Sequence, residues 1–214
     1  MHSGQKLKLE CALYVVATPI GNLRDISLRA LDVLTSADVI AAEDTRNTAH
    51  LLTHYGITAQ RLQALHQHNE RGAAEKVIAM LLQGQAVALV SDAGTPAVSD
   101  PGALLVEAVR AAGFRVIPIP GASAAVSALS AAGFATPHFL FYGFLPNKSA
   151  ARSRELQALI EAPYTLVFYE APHRILECVA DLHSVFGDER EVVLAREMTK
   201  LFEQIHRCKL GEAL

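Results

Sequence analysis

The sequence predicts an α/β protein of two α/β domains, with mixed, largely parallel sheets and a cleft between the domains. Three observations carry this reading. Short β-branched runs alternate with longer amphipathic stretches along the chain, the rhythm of strand–helix–strand units. The run Ala86-Val87-Ala88-Leu89-Val90 is apolar throughout, as a strand covered on both faces must be. The pattern breaks at Pro118, Pro120 and Gly121 and restarts at Phe139, which sets domains at 1–120 and 121–214. Domain boundaries are favoured places for ligand clefts.

The expected strands are Leu13–Thr18, Val39–Glu43, Leu62–His66, Ala86–Asp92, Arg115–Pro120, Phe139–Phe144, Tyr164–Glu170 and Glu191–Glu197. Between them, Leu28–Thr35, Ala73–Gln83 and Leu104–Ala112 space their apolar residues as amphipathic helices do. Ala122–Ala132 is built of small residues and reads as a closely packed helix. Asp100 followed by Pro101 reads as an N-cap and a first helical position. Asn69 reads as the cap of a helix beginning at Glu70, whose carboxylate suits the positive end of the helix.

Of the 214 residues, 51% are hydrophobic and 19% charged, a folded rather than a disordered composition. No apolar run reaches membrane-spanning length, and Met1–Glu10 lacks the apolar core of a secretion signal, so a cytoplasmic location is expected. Cys11, Cys178 and Cys208 are scattered without metal-ligand spacing. Inert thiols and no metal are expected. The net charge of −3 argues against a broadly basic nucleic-acid surface, so any RNA contact must come from a local patch or from a partner chain.

Three segments point to a ligand. Thr18-Pro19-Ile20-Gly21-Asn22 follows the first strand, and Gly21 lets the backbone turn sharply near a ligand. It is neither a G-x-G-x-x-G loop nor a P-loop, which counts against a dinucleotide dehydrogenase and an NTPase. Ser91–Gly102 follows the apolar strand and is rich in turn-forming residues. Its length suggests a binding loop, with Asp92 at the strand tip and Gly94 and Thr95 offering amides and a hydroxyl. Pro120-Gly121-Ala122-Ser123 opens the small-residue helix, where free N–H groups suit an anion.

Taken in order, Ala17–Leu23, Ala42–Arg46, Ser91–Gly102, Pro120–Ser123, Phe144–Pro146, Phe168–Arg174 and Ala195–Lys200 resemble the ribosomal RNA small subunit methyltransferase I family of the tetrapyrrole methylase superfamily. The resemblance runs over about residues 11–212. Glu43-Asp44-Thr45-Arg46 and Tyr169-Glu170-Ala171-Pro172-His173-Arg174 separate it from the corrin methylases. It implies S-adenosyl-L-methionine held in the cleft, a homodimer, no metal, and 2′-O-methylation of a decoding-centre cytidine in 16S ribosomal RNA within the small subunit. By motif match, Pro19 and Gly21 border the methionine end, and Asp92, Ala93, Gly94, Thr95, Val98 and Ser99 line the cofactor. Gly121, Ala122 and Ser123 close the other side, and Phe144, Tyr169, Ala195 and Arg196 hold the adenosine.

A ribose hydroxyl needs its proton drawn off or its developing charge stabilised. Asp44, Arg46 and His68 are the candidate catalytic residues. Lys148, Arg152, Arg154 and Arg174 are the candidate grip on RNA phosphates. Family members usually continue beyond Gly211–Leu214, so a C-terminal truncation is expected. The alternatives are a corrin-precursor C-methyltransferase and a truncated chain that dimerises without catalysis.

Overall fold

A computed structural model describes residues 6–59, 61–65 and 70–213. The chain divides into two compact units, the first ending at Ser123 and the second beginning at Ala124.

The first unit alternates strand and helix without exception: β1 (Leu13–Val16), α1 (Leu28–Ser36), β2 (Val39–Ala42), α2 (Thr45–His54), β3 (Leu62–Ala64), α3 (Glu70–Leu82), β4 (Val87–Val90), α4 (Ala103–Ala111) and β5 (Val116–Ile119). The sheet runs β3-β2-β4-β1-β5 and each pairing is parallel. Alternation along the strands sorts the side chains into two cores. Tyr14, Val16, Ile40, Ala88 and Val90 face Leu31 and Leu34 of α1 and Leu52 of α2. Leu13, Val39, Val87 and Leu89 face Val77 and Leu81 of α3 and Leu105 and Val109 of α4. β1 and β4 are therefore neighbours whose connections leave to opposite faces of the sheet. In open parallel sheets that arrangement leaves a crevice at the carboxyl ends of the two strands, where ligands bind.

The start of α4 departs from the sequence expectation. Asp100 is not its N-cap. The helix begins after Gly102, which sits at φ 127° and supplies no capping side chain. Its amides are satisfied from another helix: Glu70 Oε1 accepts from Gly102 N at 2.8 Å, Leu104 N at 2.9 Å and Leu105 N at 3.4 Å. Glu70 does stand in the first turn of α3, but its carboxylate serves α4. The turn needs glycine at 102 for two reasons. Its φ is left-handed, and a Cβ there would lie 2.9 Å from Leu89 Cδ2.

The second unit comprises α5 (Ala124–Ala132), β6 (Phe139–Phe144), α6 (Ser149–Gln157), β7 (Thr165–Tyr169), α7 (Ile175–Phe186), β8 (Glu191–Arg196) and β9 (Gln204–Lys209). β6 and β7 pair in parallel, with a shift between Phe141 and Gly143. β8 and β9 form an antiparallel pair. The sequence did not reveal β9. Gln204-Ile205-His206-Arg207-Cys208-Lys209 is mostly exposed, so neither face imposes an apolar alternation. Leu145, Leu156 and Cys178 form this unit's core. Burial, reinforced by the Glu170 carboxylate, pushes the Cys178 thiol up to about 12, which disfavours the reactive thiolate.

Candidate functional site

The loops after β1 and β4 are tied to each other. Thr18 N donates to Gly94 O at 2.8 Å and Gly94 N to Thr18 O at 3.0 Å, while the Thr18 hydroxyl donates to Ser91 O at 3.1 Å. Thr95 Oγ1 donates to Ala122 O at 3.1 Å, which joins the Pro120–Ser123 segment to the same place. Glycine is required twice here. Gly94 has φ 82°, and a Cβ on it would meet Ile20 Cγ2 at 3.4 Å and Ala122 O at 3.7 Å; a Cβ on Gly121 would lie 2.8 Å from Ala17 Cβ. Beyond Gly94, Ala97 and Ser99 both hold positive φ, 65° and 64°. Non-glycine residues adopt such angles at a cost and cluster at functional loops.

Asp92 and Ala93 are exposed at the strand tip. Asp92 Oδ1 accepts from Asp44 N at 3.1 Å and its Oδ2 from Asn47 Nδ2 at 2.8 Å. Asp92 N in turn donates to Glu43 Oε2 at 3.2 Å. The β4 loop is thus locked to the start of α2. Asp100 is half-buried in the same loop, and burial raises its carboxyl to about 6 against the pull of a Ser91 hydrogen bond; Glu43 and Asp92 add to the rise.

Asp44 is the N-cap of α2. Its Oδ1 accepts from Arg46 N at 2.8 Å and Arg46 Nε at 3.1 Å, and its Oδ2 from Arg46 Nη2 at 2.7 Å. These bonds to Arg46 lower its carboxyl to about 2. A carboxylate so firmly ionised is a poor proton acceptor; Asp44 caps α2 and orients the Arg46 guanidinium. The Arg46 side chain is 85% exposed and open to an anionic substrate. His68, with His66, lies outside the described residues.

The chain also forms a cavity of about 380 Å³ to which no sequence motif pointed. Pro19, Ile20, Gly21 and Leu23 line one side, Asn47, Thr48, His50, Leu51 and His54 of α2 another, and Ser91, Asp92 and Ala93 complete it. The available signal was the spacing of Asn47, His50, Leu51 and His54, one stripe of a helix, directly after the Glu43–Arg46 run.

In the second unit, Phe144 and Tyr169 are partners at the carboxyl ends of β6 and β7, with ring centroids 5.7 Å apart. The Tyr169 hydroxyl accepts from Ala125 N at 3.1 Å. The small-residue helix therefore starts two residues later than expected, and one of its free amides is already satisfied. Ala195 and Arg196 end β8, Arg196 opposite Gln204.

The basic patch divides. Lys148 and Arg154 are exposed. Arg152 is buried, its side chain 1% exposed. Its Nε donates to Asp181 Oδ2 at 2.6 Å and its Nη1 to the carbonyls of Pro146 and Asn147. Arg174 pairs with Glu170 at 3.2 Å and donates to the carbonyls of Leu145 and Pro146 and to Asn147 Oδ1. Both arginines are corrected from phosphate contacts to braces of the turn after β6. Two guanidiniums and three convergent carbonyls satisfy one another there, which sequence proximity to Lys148 could not reveal.

A family model described as Tetrapyrrole (Corrin/Porphyrin) Methylases matches residues 12–214. Ribosomal RNA small subunit methyltransferase I of Escherichia coli O157:H7 is 55% identical over 202 residues, covering 94% of this chain and 70% of the relative. The chain belongs to the tetrapyrrole methylase family, in its ribosomal RNA small subunit methyltransferase I branch. The Synechocystis relative of the same name is 49% identical over 94% of this chain and 72% of its own. Among solved structures, the methyltransferase CobJ superposes with a TM-score of 0.71 at 21% identity, over 95% of this chain and 88% of that one. A uroporphyrin-III-C-methyltransferase from Thermus thermophilus gives 0.63 at 22% identity, over 93% and 85%. These likenesses show the fold.

The chain is a methyltransferase, and its methyl donor is S-adenosyl-L-methionine. The residues fit that molecule. The loops after β1 and β4 meet through main-chain bonds between Thr18 and Gly94, and Gly94 holds a left-handed φ that a side chain would strain. Among the described residues no group of three His, Cys, Asp or Glu side chains could hold a metal ion, and no helix is long and apolar enough to cross a membrane.

Proposed function

We propose that the chain methylates the ribose 2′-hydroxyl of a decoding-centre cytidine in 16S ribosomal RNA, acting as a cytoplasmic homodimer on the small ribosomal subunit. The observation that carries this is the 55% identity over 94% of the chain to a relative named for small-subunit ribosomal RNA. Bound S-adenosylmethionine supplies a methyl group already activated on sulfur, so the protein's share is positioning and electrostatics.

Pro19, Gly21, Asp92, Ala93, Gly94, Thr95, Val98 and Ser99 hold the donor from the first unit, with Gly121, Ala122 and Ser123. Phe144, Tyr169, Ala195 and Arg196 hold the adenosine from the second. Arg46, oriented by Asp44, offsets charge on the attacking oxygen or a flanking phosphate. Lys148 and Arg154 grip phosphates, and two exposed cations are compatible with an acidic chain whose target is a local RNA feature.

The test is transfer of labelled methyl from S-adenosylmethionine to unmodified small subunits, with a precorrin in parallel. Label at one cytidine of 16S RNA, resistant to alkaline cleavage, is the expected result. Label on the precorrin alone overturns the assignment. Removing both cations, Lys148→Ala with Arg154→Ala, should raise KM for subunits roughly tenfold at low salt and leave S-adenosylhomocysteine affinity unchanged.

A further inference from the structure

We propose that the cavity under α2 is the seat of the acceptor nucleoside, its base held by His50 and His54. The inference rests on the methyl-transfer reading above and assigns residues to the acceptor side. α2 presents two stripes. One buries Leu52 in the core. The other places His50 and His54, one turn apart, on the cavity opposite Pro19 and Ile20.

Both imidazoles are exposed, and among the described residues no hydrogen bond engages either ring. Their neighbours differ: Asn47 and Asp92 are spent on each other. A neutral imidazole offers one donor, one acceptor and a flat face, the combination that receives an unstacked base. Pro19 and Ile20 add apolar surface to this slot.

The slot is also preorganised. The Tyr55 hydroxyl donates to Leu23 O, tying the end of α2 to the β1 loop. The His54 ring lies edge-on to Tyr55, with centroids 4.9 Å apart at 87°. At about 380 Å³ the cavity sits at the low end of the roughly 300–1,000 Å³ of ligand pockets, with room for one nucleoside. Pro19, Gly21 and Asp92 belong both to this cavity and to the crevice at the ends of β1 and β4. A nucleoside seated there brings its ribose beside the donor's loops.

The experiment uses the full chain with saturating S-adenosylhomocysteine. Cytidine 5′-monophosphate is added while the ring proton signals of His50 and His54 are followed by NMR, with ribose 5-phosphate as control. Saturable shifts with the nucleotide and none with the sugar phosphate are expected. No shift at millimolar nucleotide, or equal shifts with both, overturns the proposal. In parallel, His50→Ala with His54→Ala should raise KM for small subunits about tenfold or more, the loss of a stacking contact, with S-adenosylhomocysteine affinity unchanged as the control for folding. An unchanged KM also overturns it. Failure of the wild-type chain to methylate subunits, with the nucleotide shifts present, removes the RNA reading and leaves the nucleoside seat standing.

Discussion

In the first unit all residues of β2 and β4 are buried, whereas in the second no residue of β7 is fully buried and Phe139 and Phe144 of β6 are each 52% exposed. The first sheet has five strands between two helix pairs. The second unit has two separate two-stranded pairs, an arrangement that buries little and is marginal unaided. To a small apolar core it adds arginine ion pairs. Arg152 meets Asp181, Arg174 meets Glu170, and Arg207 meets Glu191 at 2.8 Å. The first unit rests on apolar area, and the second adds ion pairs bonded to backbone carbonyls to a smaller core, so the two should fail differently.

The largest effect should come from Arg152→Ala. It takes the guanidinium from Asp181, which keeps the Ser149 hydroxyl, and loosens the carbonyls after β6, for a cost of about 3–5 kcal/mol. Hydrogen exchange read by mass spectrometry should show β6, α6 and α7 losing protection while β4 keeps it. Equal loss in both units would break the comparison.

Leu89→Ala, at a fully buried position of β4, should cost about 3 kcal/mol in urea unfolding. Phe144→Ala should cost less than about 1 kcal/mol, because half of that ring is already in water. A reversed order would mean that Phe144 is covered in solution.

Glu70→Ala should cost about 1.5–3 kcal/mol, since one charged acceptor serves three amides. It should also weaken S-adenosylhomocysteine binding, because the Ser91–Gly102 loop loses its anchor, and Glu70→Gln should recover part of both. Unchanged affinity in a calorimetric titration would separate the cap from the cofactor loop.

The smallest effect concerns Asp100. Burial raises its folded pKa to about 6, above the unfolded value near 3.9. The fold prefers the neutral acid, so its stabilising share is complete below about pH 3.9 and lost as pH rises through about 6. Asp44 has the opposite sign. With its carboxyl at about 2, its share is present above about pH 3.9 and lost as pH falls toward 2. Asp100→Asn should therefore raise the melting temperature at pH 7.5 and leave it unchanged at pH 4. A lower melting temperature at pH 7.5 would mean that the ionised carboxylate has a partner.

The parallel rhythm, the buried run 86–90 and the two turn-rich loops were legible in the sequence, because periodicity, β-branching and glycine act over a few residues. β9 was not, since its exposed faces impose no pattern. The service of Glu70 to α4 was invisible as well. Two helices must pack before that carboxylate finds its amides. Arg152 and Arg174 looked like surface cations beside Lys148, and only folding turned them inward onto carbonyls. Local sequence determined which segments become strands, helices and loops. Tertiary structure decided which charges are spent inside the fold and which histidines face a cavity, because burial and pairing depend on neighbours that are distant along the chain.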